Sequence, residues 1–134
     1  MIKEGAPLDK LYLVKEGRVQ ILKEMAYQDE AGRDRWKSMV LLDVNEGDFV
    51  GEESLKKQVD EAGEVRSQYT VKVDSRAGAV LYVASSKCFS SSFRQILPEI
   101  QKMCEEKALL LENRQNLLMN QLRYWAIKNR RNGS

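Results

Sequence analysis

The chain has 134 residues, 43% of them hydrophobic and 31% charged, with a net charge of +2 and no histidine. That length suits one domain with a real core, and that composition is soluble and globular rather than disordered. It excludes imidazole catalysis and histidine-bound metal, and no apolar run approaches the roughly 20 residues needed to cross a bilayer.

The N-terminus lacks the apolar core of a secretion signal. The two cysteines, Cys88 and Cys104, are far apart in sequence. No zinc site is expected from them, and the default compartment is reducing and cytoplasmic. Charge is uneven along the chain. Without Arg123, Lys128, Arg130 and Arg131 the 20 acidic residues outnumber the basic ones that remain of 22. The body is mildly acidic and the tail basic, which suits a helix C-terminus or a solvated end. Nucleic acid is not expected as a partner.

In chain order, Gly5-Ala6-Pro7-Leu8-Asp9-Lys10 is a turn. Leu11 to Leu22 alternates around Gly17, and the pattern predicts two strands folded about Glu16-Gly17. Met25 to Lys37 is polar and reads as a hairpin tip or longer loop, with Met39 to Val44 as the returning strand. Asn45-Glu46-Gly47-Asp48 turns the chain again. Lys56 to Gln68 is charged, without periodicity, and reads as an exposed loop. Tyr69 to Val73 and Ala79 to Val83 alternate and are joined by Asp74 to Gly78. Short strands with glycine turns at this spacing predict an antiparallel roll or barrel.

After Ala84 the pattern turns helical. Ser85 or Ser86 caps a helix carrying Phe89, Phe93 and Ile96, and Pro98 opens the next one. From Glu99 to about Lys128, Met103, Leu110, Leu117 and Tyr124 recur every seventh residue, and so do Cys104, Leu111, Leu118 and Trp125. Ile100, Ala108 and Leu122 widen the stripe. A helix of that length extends on the order of 45 Å, more than a compact domain of this size covers. The stripe can dock on its own roll, pair with another chain, or lie on a membrane. The opposite face is mixed in charge rather than basic. The expectation is own-domain docking for the first half and a protein partner or second copy for the far half, through Leu111, Leu118, Leu122 and Trp125.

The chemistry concentrates in Gly47-Asp48-Phe49-Val50-Gly51-Glu52-Glu53-Ser54-Leu55. Two glycines bracket an aromatic, and an acidic pair opens one short helical turn. Gly51 allows a positive φ or a close backbone approach. The first N–H groups of the turn are unpaired and can face an anion. Glu52 can accept from hydroxyls, so the site suits a ligand with both a phosphate and a sugar. Elsewhere the chain offers little. Glu52 and Glu53 have no nucleophile or metal motif beside them, and no Gly-x-x-x-x-Gly-Lys loop is present. The serines at 85, 86, 90, 91 and 92 read as caps and turns. No enzymatic activity, cofactor or metal is expected.

With the strands Leu11 to Ile21, Tyr69 to Val73 and Ala79 to Val83 around it, that stretch resembles the cyclic-nucleotide-binding domain family. The resemblance runs from about Ile2 to about Leu118, without the family's usual N-terminal helix and first strand. It implies a mainly β, α+β fold: an antiparallel β-roll or jelly roll with C-terminal helices. The roll is expected over 1–98 and the long lid or interaction helix over 99–134 of the same domain. In that family a Phe-Gly-Glu turn, its short helix and an Arg-Ala-Ala-Thr segment form the phosphate-binding cassette. Gly51 matches the glycine that offers its N–H, and Glu52 matches the glutamate that binds the ribose hydroxyl.

The second half departs from the family. With Thr70 on the family's threonine, Ser67 occupies the arginine position, Arg66 lies one residue off, and Gln68 and Tyr69 replace two alanines. The ligand-binding set implied is Gly51, Glu52, Glu53, Ser54, Arg66 and Thr70, with Arg66 as the phosphate partner and cAMP or cGMP as the ligand. Two functions stand. One is a regulatory domain that senses the nucleotide and relays it through the C-terminal helix. The other is a ligand-free relative that serves as a structural or protein-interaction module.

Overall fold

In the computed structural model, residues 1–55 and 64–132 are described. The fold is a mostly antiparallel β-sheet structure with C-terminal helices. Among the described residues, five strands run β1 (Lys10–Gln28), β2 (Asp34–Asn45), β3 (Phe49–Val50), β4 (Thr70–Val73) and β5 (Ala79–Ser85). One 3-10 turn, Glu52–Leu55, follows β3. Helix α1 (Ser86–Ser92), a second 3-10 turn (Arg94–Ile96) and helix α2 (Leu97–Asn132) close the chain.

Every other strand pairs with β1, each time antiparallel. The expectation of two strands folded about Glu16-Gly17 is corrected here. Lys10 to Gln28 is one bent strand whose halves take different partners. Lys10 to Gly17 pairs with β5, and Tyr12 and Leu13 pair with β3 on the other edge. Arg18 to Gln28 pairs with β2, and Val19 to Leu22 with β4. The corner is Gly17, at φ +83°, where a Cβ would lie 2.0 Å from the Gly78 carbonyl oxygen. A glycine there bends the strand instead of reversing it, and the irregularity between Val14 and Glu16 absorbs the extra residue.

Of the two readings of Met25 to Lys37, hairpin tip or longer loop, the structure takes the hairpin, with a shorter tip than expected. Pairing continues to Gln28↔Asp34, and only Asp29 to Arg33 turn. Asp29 builds that turn by accepting from the Ala31 and Arg33 backbone N–H groups and from Arg35. These donors, the Arg33 N–H first, hold its carboxyl below the usual carboxylate range. Polar composition there marks a solvated two-stranded arm, not the absence of strands.

The core gathers Ile2, Leu8, Val14, Val19, Ile21, Met25, Leu41, Val44, Val50, Tyr69 and Val71 from the roll, and Leu111 from α2. Val14, Val19, Met25 and Val50 are at most 1% exposed. Each contributes about 1.5–3 kcal/mol by leaving water. Ser85 caps α1 by accepting from the Cys88 N–H, as its position before the helix predicts. Helix α2 crosses the roll with Leu111, Leu118, Met119 and Leu122 turned inward. Met103, Leu110, Leu117 and Tyr124 stay 42–70% exposed. No helix among the described residues is long and apolar enough to cross a membrane.

Candidate functional site

The site forms where β3 ends. Gly47, at φ +90°, turns the chain into β3, and the Gly47 N–H donates to the Val14 carbonyl. Phe49 and Val50 pair with Leu13 and Tyr12. Gly51 then takes φ +88° with its α-carbon against β1, so that a Cβ would lie 2.3 Å from the Lys10 carbonyl oxygen. Only glycine fits that approach. The chain next winds into the 3-10 turn, with Ser54 donating through both its N–H and its hydroxyl to the Gly51 carbonyl. Ser86 at the start of α1 donates to the Ser54 hydroxyl, so α1 braces the turn.

Glu52 is 8% exposed. A carboxylate buried that far needs a partner. Its partner is Lys107 of α2, whose Nζ lies 2.8 Å from Glu52 Oε1. The same ammonium donates to the Phe49 carbonyl at 2.7 Å and sits 5.5 Å from the centroid of the Phe49 ring. One turn further along α2, Leu111 is 3% exposed. It lines a residual cavity of about 10 Å³ with Ile21, Val50, Gly51, Glu52, Glu53, Ser67 and Tyr69 among its other walls. A second cation, Arg114, donates to the Leu41 carbonyl at 2.8 Å and clips α2 to β2.

The second half of the expected site sits on the far wall. Ser67 is buried, and its hydroxyl both donates to the Tyr69 carbonyl and accepts from the Tyr69 N–H. Tyr69 is buried as well. Burial pushes its phenol above the ordinary tyrosine range, and the carboxylates of Glu53, Glu112 and Glu4 push it the same way. Glu53 accepts from the Gln68 N–H at 3.2 Å. Thr70 accepts from the Glu4 N–H. Arg66 does not line the cavity. Its guanidinium donates to the Gly5 carbonyl at 2.9 Å and to Glu64 at 3.3 Å, while its backbone bridges to Pro7. The geometry thus brings Gly51, Glu52, Glu53 and Ser54 together and directs Arg66 and Thr70 to the N-terminal segment. Of the exposed loop expected over Lys56 to Gln68, the stretch Lys56 to Gly63 lies outside the described residues.

Four of the residues read as partner-binding divide in the same way. Leu111 is core, and Leu118 and Leu122 pack against it, while Trp125 is 53% exposed. The residue at this candidate site that the sequence reading did not single out is Lys107. Its signal was present: it is a cation between Met103 and Cys104 on one side and Leu111 on the other, at helical spacing, inside an apolar stripe.

No family model matches the sequence, and no curated protein does. Solved structures do match. The c-di-GMP-responsive global regulator CLP of Xanthomonas campestris is 21% identical, with a TM-score of 0.51 over 90% of this chain and 51% of that one. The EAL enzyme Bd1971 in its cAMP-bound form is 19% identical, with a TM-score of 0.50 over 91% of this chain and 28% of that one. The chain has the cyclic-nucleotide-binding fold. It spans about half of the first of these proteins and little more than a quarter of the second. In this chain Val50 to Glu53 face Ser67 and Tyr69 across the residual cavity, and α2 brings Leu111 to that cavity and Lys107 to Glu52.

Proposed function

We propose that this chain is a non-enzymatic regulatory domain of the cyclic-nucleotide-binding type, in which its own C-terminal helix and a nucleotide compete for one carboxylate. The observation that carries the reading is the Lys107–Glu52 contact. Glu52 holds the position that would bind a ribose hydroxyl, and Lys107 is already on it. A cyclic nucleotide needs a pocket of several hundred Å³, against the residual cavity of about 10 Å³. Binding therefore requires Leu111 and Lys107 to withdraw. Withdrawal moves α2, and that movement is the relay. The exposed column Met103, Leu110, Leu117 and Tyr124 would carry it to a second copy or another protein. The apparent affinity for cAMP or cGMP is lowered by whatever fraction of the domain is helix-docked.

Calorimetric titration of cAMP and cGMP into the wild type and Lys107→Ala tests this. The variant should bind more tightly than the wild type. A second reading, the ligand-free interaction module, has its own support in the Arg66 contacts to Gly5 and Glu64 and in the bulk of Tyr69. Absence of binding by either protein selects it.

A further inference from the structure

The groups that surround the Lys107 ammonium have a chemistry of their own, independent of nucleotides. A carboxylate oxygen of Glu52 lies at 2.8 Å, the Phe49 carbonyl oxygen at 2.7 Å, and the Phe49 ring at 5.5 Å from its centroid. All three present negative charge or the negative face of a quadrupole to one point. Glu52 is buried and held by the 3-10 turn, and the Phe49 carbonyl is held by β3, so both acceptors belong to the roll and stay when α2 leaves. The roll therefore carries a prebuilt cage for a compact cation with hydrogen-bond donors.

We infer that the cage is a binding site for a primary alkylammonium, and that its external ligand is a lysine side chain of a partner protein, which enters when Lys107 withdraws. The inference rests on the helix release proposed above. Lys107 is its resident occupant and the template for the geometry. A primary ammonium has three donors and can serve Glu52 and Phe49 together while facing the ring. A quaternary ammonium keeps the charge and the ring contact but has no donor. A planar guanidinium spreads its donors more widely than this point requires. The net result is a switch in which a lysine from outside exchanges for a lysine from inside, with no change in the charge that Glu52 faces.

The test is chemical rescue. Lys107→Ala keeps the first side-chain carbon and vacates the cage, and n-propylammonium chloride replaces the lost amine. The thermal midpoint of the variant should rise with n-propylammonium concentration and not with equal sodium chloride, as for any ligand that binds only the folded state. The wild type, already occupied, should not respond. Tetramethylammonium should act at least about tenfold more weakly, for want of the two donated hydrogen bonds. The double variant Lys107→Ala with Glu52→Gln should lose the response. An equal response to the two ammonium ions, or an undiminished response in the double variant, overturns the cage. So does no response in Lys107→Ala. If that variant does not fold, Lys107→Ser carries the same series, with binding read by calorimetry. Titrating cAMP and cGMP into the same variant separates the two ideas. Rescue without nucleotide binding removes the nucleotide and keeps the cage, and nucleotide binding without rescue does the reverse.

Discussion

Lys107 of α2 donates to the carbonyl oxygen of Phe49, 2.7 Å away, although 58 residues separate them in the chain. This contact and the Glu52 ion pair beside it make the cassette and the long helix one structural unit. Leu111, Leu118, Met119, Leu122 and the Arg114 clip hold α2 to the roll beside them.

Breaking the ion pair from one side should cost more than removing it whole. Lys107→Met leaves Glu52 buried without its counter-ion, and urea unfolding should show a loss of about 3 kcal/mol, the lower end for a broken buried pair because Lys107 retains some exposure. Adding Glu52→Gln should recover most of that loss, since a neutral amide is far cheaper to bury.

Two adjacent leucines should behave differently. Leu111→Ala removes a side chain that is 3% exposed and enlarges the cavity beside Glu52, at about 2–5 kcal/mol. Leu110→Ala, at a position 42% exposed, should fall within about 0.5 kcal/mol of the wild type. Paired denaturation curves check both.

Glycine substitutions should rank by what a Cβ would meet. Gly51→Ala combines φ +88° with a 2.3 Å approach to the Lys10 backbone oxygen, and should disrupt the cassette. Gly47→Ala has φ +90° and nothing within 4 Å, so it should cost only the conformational strain of about 1–2 kcal/mol. Thermal midpoints of the two variants give the order.

Tyr69 makes stability fall at high pH. Its phenol is raised in the folded chain, first by burial and then by Glu53, Glu112 and Glu4. The unfolded chain therefore ionises first. The contribution is complete below the ordinary tyrosine range and is lost as pH rises through the folded value. Tyr69→Phe should flatten the alkaline limb of a stability–pH profile.

The exposed column of α2 should support association. Leu110→Asp with Leu117→Asp changes two outward side chains and should abolish self-association or partner capture in light scattering and pull-down while the roll stays folded. Leu118→Asp, on the inward side, should instead destabilise the roll.

The sequence by itself determined the strand periods, the turns at Gly47 and at Asp74 to Gly78, a serine cap at Ser85 or Ser86, and the long apolar helix, because each is written in neighbouring residues. It also determined that Gly51 and Glu52 share a turn. Only the tertiary structure decided that Lys10 to Gln28 is one strand, because Gly17 permits a bend or a reversal equally and the choice lies with Gly78, 61 residues away. Likewise, local pattern could assign Arg66 to an anion and leave Lys107 as a cation inside an apolar stripe with no partner named. Long-range contacts place Arg66 on Gly5, and bring Lys107 to Glu52, because a carboxylate buried at the end of β3 requires a cation and α2 is the element that reaches it.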